Sequence, residues 1–205
     1  MTTLLQINAS IQGENGQSSQ LANRFVAAWR AQHPQGRLVH RDLAADPVPH
    51  LTAERFGAFL AQPEQRDDRQ RAIAQYSDTL IEELRQANLI VLGLPMYNFG
   101  IPSQLKAYFD HIARAGHTFN YTAQGPVGLL RDKKVYVFAA RGGLYAGAPL
   151  DTQTPYMRDF LGFLGLKDVQ FVFAEGLAID AQRRESALEA ARTHIDGLLE
   201  KRAAA

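Results

Sequence analysis

The 205-residue chain contains no cysteine. That excludes disulfides, thiolate nucleophiles, cysteine-ligated metals and a redox dithiol. Electrons, if this protein moves any, have to travel on a bound cofactor. The absence also fits a cytoplasmic location. Neither sign of charge is in excess, since the formal net charge is +1, so the electrostatic footprint of nucleic-acid binding is not expected. No apolar run approaches the roughly 18 residues of a membrane span, and the N-terminus enters a strand pattern without the charged and apolar segments of a signal peptide. The six histidines never fall in His-x-His or His-Glu-x-x-His spacing, so no metal site is expected. Also missing are the Gly-x-x-x-x-Gly-Lys-Ser/Thr triphosphate loop, the Gly-x-Gly-x-x-Gly dinucleotide fingerprint and the Gly-x-Ser-x-Gly nucleophile elbow.

What is present is an alternation. Short apolar runs are separated by helical patterns, which argues for βαβ units and a parallel sheet. The expected strands are Thr3 to Asn8, Arg37 to Asp42, Leu89 to Leu94, Lys133 to Ala140 and Val169 to Ala174. The expected helices are Gln17 to His33, Leu51 to Ala61, Glu64 to Gln86, Ile101 to Ala115, Thr152 to Leu164 and Ala181 to Lys201. Residues 116–130 read as irregular and aromatic. No repeat or linker interrupts the chain, and a hydrophobic content of 46% can build the core of a single domain over residues 1–205. Five strands in this pattern predict an α/β, flavodoxin-like, doubly wound parallel sheet in the order 2-1-3-4-5, with helices on both faces.

In such a sheet, ligands bind beyond the carboxyl ends of the strands. Three segments follow expected strands there. The first, from Ser10 to Ser19, is small and polar and leads into a helix, whose N-terminus offers free N–H groups and partial positive charge to a phosphate. Ser10 and Ser18 add hydroxyls and Gln17 an amide; alternatively Ser18 or Ser19 simply caps the helix. This loop contains no Lys or Arg, so neutral donors have to hold the anion. The second segment, Pro95-Met96-Tyr97-Asn98-Phe99, offers backbone groups to a flat polar ring and aromatic walls around it. The third, Ala140-Arg141-Gly142-Gly143, has paired glycines that let a backbone approach a ligand closely. One phosphate grip and two ring brackets make the layout of an FMN site. Phe119, Tyr121 and Tyr97 are either pocket aromatics or core and lid residues. His111 is expected on a helix face.

These residues resemble a known family. The segments Pro95–Phe99, Gln104–Asp110, Ala113–Gly116, Lys133-Lys134, Arg141–Gly143 and Phe160–Phe163, in this order, are similar to those of bacterial FMN-dependent NADH azoreductases, of the flavodoxin-like NAD(P)H:quinone oxidoreductase group. The resemblance covers nearly the whole chain. It implies an FMN phosphate held by Ser10, Gly16, Gln17 and Ser18, with flavin contacts from Pro95, Met96, Tyr97, Asn98 and Phe99 and from Ala140, Arg141, Gly142 and Gly143. Family members often carry serine where this chain has Gly16 and Ala140. It further implies two-electron, ping-pong reduction of quinones and azo compounds with NADH or NADPH as co-substrate. No side chain is expected to be catalytic in its own right, because the flavin carries the chemistry. A homodimer is implied, with FMN at the interface. Phe99, Phe119 and Tyr121, together with Phe56, Phe59 and Leu60, are candidates for the substrate pocket and shared wall. The alternative is a flavodoxin-type electron carrier with no small-molecule turnover of its own. A response-regulator-like phosphoacceptor on the same sheet would need carboxylates after the first strand, where Asn8-Ala9-Ser10 has none.

Overall fold

A computed structural model describes residues 2–203. Five parallel strands form its centre: β1 (Thr3–Asn8), β2 (Arg37–Asp42), β3 (Leu89–Pro95), β6 (Lys134–Ala140) and β7 (Asp168–Ala174), in the order β2-β1-β3-β6-β7. With the two short strands between β3 and β6 set aside, this is the expected 2-1-3-4-5 order. Central β1 and β3 are buried along their whole length, as strands covered on both faces must be. Edge strand β2 is partly exposed and carries Arg37, His40 and Arg41.

Alternating side chains divide the core between the two faces. Leu4, Leu89, Val91 and Phe138 meet Leu21, Phe25 and Trp29 of α1 (Gln17–Gln32) and Ile195 of α6 (Ala181–Ala203). Leu5, Ile7, Ile90 and Leu92 face the other way. They meet Leu80 and Leu84 of α3 (Asp68–Gln86), Leu105 and Phe109 of α4 (Ser103–Ile112) and Met157 of α5 (Gln153–Phe163). The four-residue spacing of Leu21, Phe25 and Trp29 puts all three on one side of α1. Helix α2 (Ala53–Leu60) leans on α3.

The differences from the sequence reading are local. Helix α3 starts at Asp68, not Glu64: Pro63–Gln65 forms a 3-10 turn, and a capping box sets the true start. In that box Asp67 accepts from Gln70 N at 2.7 Å, and the Gln70 side chain accepts from Asp67 N at 3.2 Å. Helix α4 stops at Ile112, short of Ala115, because the Thr118 hydroxyl donates to Ile112 O at 2.5 Å and accepts from Arg114 N at 3.1 Å. Residues 116–130, expected to be irregular, contain an antiparallel hairpin of β4 (Phe119–Thr122) and β5 (Gly125–Gly128). Its close docking depends on glycine, since a Cβ on Gly128 would lie 2.0 Å from Gly165 N.

Candidate functional site

Parallel register aligns the strand ends. Asn8 sits beside Gly93 and Pro95 beside Ala140, and Met96 N donates to Ala140 O at 3.1 Å. The three segments that follow β1, β3 and β6 therefore meet. A cavity of 320 Å³ runs between them, lined by Ser10, Gly16 and Gln17 from the first, Pro95, Met96 and Tyr97 from the second, and Ala140, Arg141 and Gly142 from the third.

At one end stands the N-terminus of α1. Its cap position is Gly16, and no side chain caps it. Ser18 and Ser19 lie inside the first turn, buried, and neither hydroxyl has a hydrogen-bond partner. Helix capping is therefore not what these serines do. The first intrahelical backbone bond is Gln20 N to Gly16 O, 2.9 Å, which leaves the N–H groups of Gln17, Ser18 and Ser19 free, as helix starts do. Buried polar groups are normally paired. An orphaned hydroxyl beside three free amides is a donor set suited to an anion, and a phosphomonoester fits it.

Glycine lets this turn come close to the sheet. A Cβ on Gly93 would lie 2.8 Å from Asn8 Oδ1 and 3.1 Å from Ser18 O. A Cβ on Gly16 would fall 2.2 Å from Ser10 Oγ, so a serine at position 16 fits only if Ser10 moves. Ser10 itself is buried. Its hydroxyl accepts from Gln12 N at 3.2 Å and lies 3.3 Å from the Tyr97 hydroxyl, which in turn accepts from Ile11 N at 3.3 Å. Tyr97 thus ties the first segment to the second.

The second segment folds into a tight turn. Tyr97 and Gly100 exchange backbone hydrogen bonds of 3.1 and 3.0 Å, and the two central residues have positive φ: 49° at Asn98 and 63° at Phe99. Asparagine enters this region with little strain, but a phenylalanine there is unusual. The Phe99 ring is half-exposed and meets Tyr145 edge-on at 5.8 Å. In the third segment, the carbonyls of Gly142 and Gly143 accept from Ala178 N and Gly176 N. Their own amides have no partner among the described residues, so they are available to a ligand edge.

Arg141 borders the cavity, while its guanidinium is fully buried in protein. Nε donates to Gln153 Oε1 at 3.1 Å, Nη1 to Glu175 Oε1 at 3.1 Å and Nη2 to Thr154 Oγ1 at 2.7 Å, and Asp151 lies 3.3 Å away. Burial would raise the Asp151 carboxyl, but bonds to Thr154 and the charge of Arg141 hold it below the usual range. Gln153 passes the network on by donating to Pro95 O at 2.9 Å and Gly100 O at 3.2 Å, and Thr152 donates to Phe99 O. Glu175 Oε1 also accepts from Tyr145 N and Ala146 N, at 3.0 and 2.9 Å. Arg141 is thus the hub that fixes both ring-bracketing loops from behind. Gln153 and Glu175 escape sequence reasoning because polar residues beside a helix start and after a strand look like ordinary surface.

The aromatic candidates disperse. An adjoining cavity of 520 Å³ shares Met96 and Tyr97 and adds Ile11, Asn98, Ile101 and Gln104. Neither cavity is lined by Phe59, Leu60, Phe119 or Tyr121. Phe119 is a core residue packed 4.3 Å from Phe163. Phe59 sits against His111 and beneath the Arg114 guanidinium, 4.8 Å from its ring centre. Tyr121, Leu60 and Phe56 are exposed. His111 lies buried in α4, as expected of a helix-face residue, with Nδ1 2.9 Å from Ala107 O. A cavity of 830 Å³ lies at the opposite end of the sheet, among the charged residues that begin β6 and β7. It is remote from the carboxyl ends, where sheets of this class bind ligands. Among the described residues no group of three or more His, Asp or Glu could hold a metal ion, and no helix is long and apolar enough to cross a membrane.

Comparison with known proteins gives concordant findings. A family model described as having a flavodoxin-like fold matches residues 2–199. The "FMN-dependent NADH:quinone oxidoreductase" of Cellvibrio japonicus is 56% identical over 196 residues, which cover 96% of this chain and 98% of that protein. The protein of the same name from Alcanivorax borkumensis is 54% identical, covering 94% and 97%. Among solved structures, an FMN-dependent NADH-azoreductase from Bacillus anthracis in complex with FMN superposes with a TM-score of 0.89 at 26% identity, covering 98% of this chain and 99% of that one. Another azoreductase from B. anthracis gives 0.88 at 28% identity, covering 98% and 100%.

Proposed function

The chain belongs to the family with a flavodoxin-like fold, and from that premise we infer that it is an FMN-dependent NADH:quinone oxidoreductase, with azo compounds as further acceptors. The observation that carries the inference is the uncapped start of α1, where the amides of Gln17, Ser18 and Ser19 are free and the Ser18 hydroxyl is buried without a partner, next to a cavity lined by Gln17, Met96, Tyr97 and Gly142. The sequence relatives and the FMN-containing structural neighbour support it.

When bound, FMN supplies a ring that takes up two electrons from NADH and gives them to the acceptor. The chain's own residues bind and orient. Gln17, Ser18 and Ser10 hold the phosphate with neutral donors. Gly16 keeps the loop close. The Met96–Phe99 turn and the Gly142 and Gly143 amides would bracket the ring, and those two unpartnered amides would stabilise negative charge on it as preorganised donors. Arg141 acts through Gln153 and Glu175 as a positioning residue. The 520 Å³ cavity lined by Met96, Tyr97 and Asn98 forms the opening, which NADH and the acceptor use in turn, with Phe99 next in the same turn. The protein functions as a single domain in the cytoplasm and as a homodimer. Exposed Phe56, Leu60, Phe99, Leu144 and Leu150 form apolar surface for the second chain to cover and so exclude water from the site.

Steady-state NADH oxidation with a quinone and no protein partner tests this. Turnover with parallel initial-rate lines at several quinone concentrations is the expected result. No turnover would point to an electron carrier, and intersecting lines would rule out alternate use of one opening.

A further inference from the structure

We propose that Arg184 is an additional phosphate-binding residue of the cofactor site, supplying the positive charge that the Ser10–Ser19 loop lacks. It matters in this way only if the cavity holds FMN, as inferred above. Two charged residues border the 320 Å³ cavity, Arg141 and Arg184. Arg141 brings no net charge to a ligand, because Glu175 and Asp151 face it inside the protein. Arg184 is exposed and forms no ion pair among the described residues, and no carboxylate lines the cavity. It is therefore the uncompensated charge at a site whose other donors are neutral.

Local structure explains how a residue so far along the chain arrives there. Helix α6 packs against α1, which brings its first turn to the cavity that the start of α1 also lines. Asp180 starts the helix by accepting from Arg183 N at 2.7 Å, and Asp180 O accepts from Arg184 N at 3.1 Å. The neighbouring Arg183 is used differently: its stem lies over Gly176, where a Cβ would meet Arg183 Cδ at 2.8 Å. Arg184 is left to the cavity, together with Leu177. A phosphomonoester carries close to two negative charges, and a guanidinium binds such a group through charge-assisted hydrogen bonds. At an exposed position the attraction is screened by salt. Phosphate recognition by this residue is thus separable from ring recognition by the rest of the site.

The test is the affinity of the full chain for FMN and for riboflavin, which lacks the phosphate, measured by flavin fluorescence at low and high ionic strength. Arg184→Ala should weaken FMN binding about three- to tenfold at low salt, leave riboflavin binding unchanged, and lose most of its effect at high salt. Arg184→Lys should recover part of the loss, and Arg184→Glu should exceed it. An unchanged FMN affinity in Arg184→Ala, or equal losses for FMN and riboflavin, would overturn the proposal. If Ser18→Ala nevertheless weakened FMN, only the role of Arg184 would fall. Wild-type protein that bound no FMN would remove the cofactor reading and Arg184's role together.

Discussion

Ser18 combines two properties that separate its structural and binding roles. Its hydroxyl is buried and unpaired, so Ser18→Ala removes no bond from the fold. Urea unfolding of the FMN-free protein should be unchanged or slightly harder. FMN binding should weaken about tenfold or more, since a hydrogen bond to a charged group contributes roughly 1.5–3 kcal/mol. A fold destabilised by the change, with FMN affinity intact, would return Ser18 to a structural role. Phe99 makes the opposite trade. Its φ of 63° carries strain of about 1–2 kcal/mol in a residue with a Cβ, while glycine loses about 0.5–1 kcal/mol in chain entropy on folding. Phe99→Gly should therefore raise stability by up to about 1 kcal/mol and, if the half-exposed ring helps to seat the acceptor, raise the quinone KM. Calorimetry and initial rates check the two halves. Ser18 was legible in the sequence as a choice between cap and phosphate donor, since a run of serines before a helix serves both; its buried, unpaired hydroxyl removes the cap. The left-handed turn at Asn98-Phe99 was not legible, because phenylalanine gives no signal for positive φ.

Elements were easier to read where both faces of the sheet are covered, as at Leu89–Pro95, and harder where short polar segments close on glycine, as in the β4-β5 hairpin. The network behind the ring loops lies across three elements and is invisible to any local pattern. Arg141→Met should destabilise by about 3–5 kcal/mol, because it strands the buried Asp151 and the partly buried Glu175 without their counter-charge, and FMN release should quicken with it. Chemical denaturation together with flavin release rates would show this; an unperturbed fold would mean the network is dispensable. In α4, burial holds His111 below the ordinary histidine range, outweighing the opposing bond to Ala107 O. The unfolded chain then binds this proton more readily than the folded one. Stability is thus full above the unfolded value of about 6.5 and falls as pH drops through it and below. His117 shifts in the same direction, again through burial first. His111→Phe should therefore flatten the acid-side loss of stability without abolishing it, as followed by thermal unfolding across pH 5–8. A slope equal to that of wild type would exclude His111 as its source.

For the whole molecule, the strand order was legible, because alternation of strand and helix fixes handed βαβ crossovers. The burial of Phe119 in the core was not, because such side chains look alike in sequence whether they enter the core or line a cavity. Leu60 and Leu150 are 67% and 58% exposed, apolar surface that the proposed homodimer would cover. A second chain would do so by burying on the order of 1,000 Å² or more in total. Light scattering of active, FMN-loaded protein should give twice the 22.7 kDa chain mass; a monomer would contradict a shared site. The central claim is that these strand-end loops hold FMN, and the absorption spectrum of the purified protein, with its flavin released by heating and counted, tests it most directly. A yellow protein yielding one FMN per chain is the result expected. A colourless protein that takes up no added FMN would contradict it.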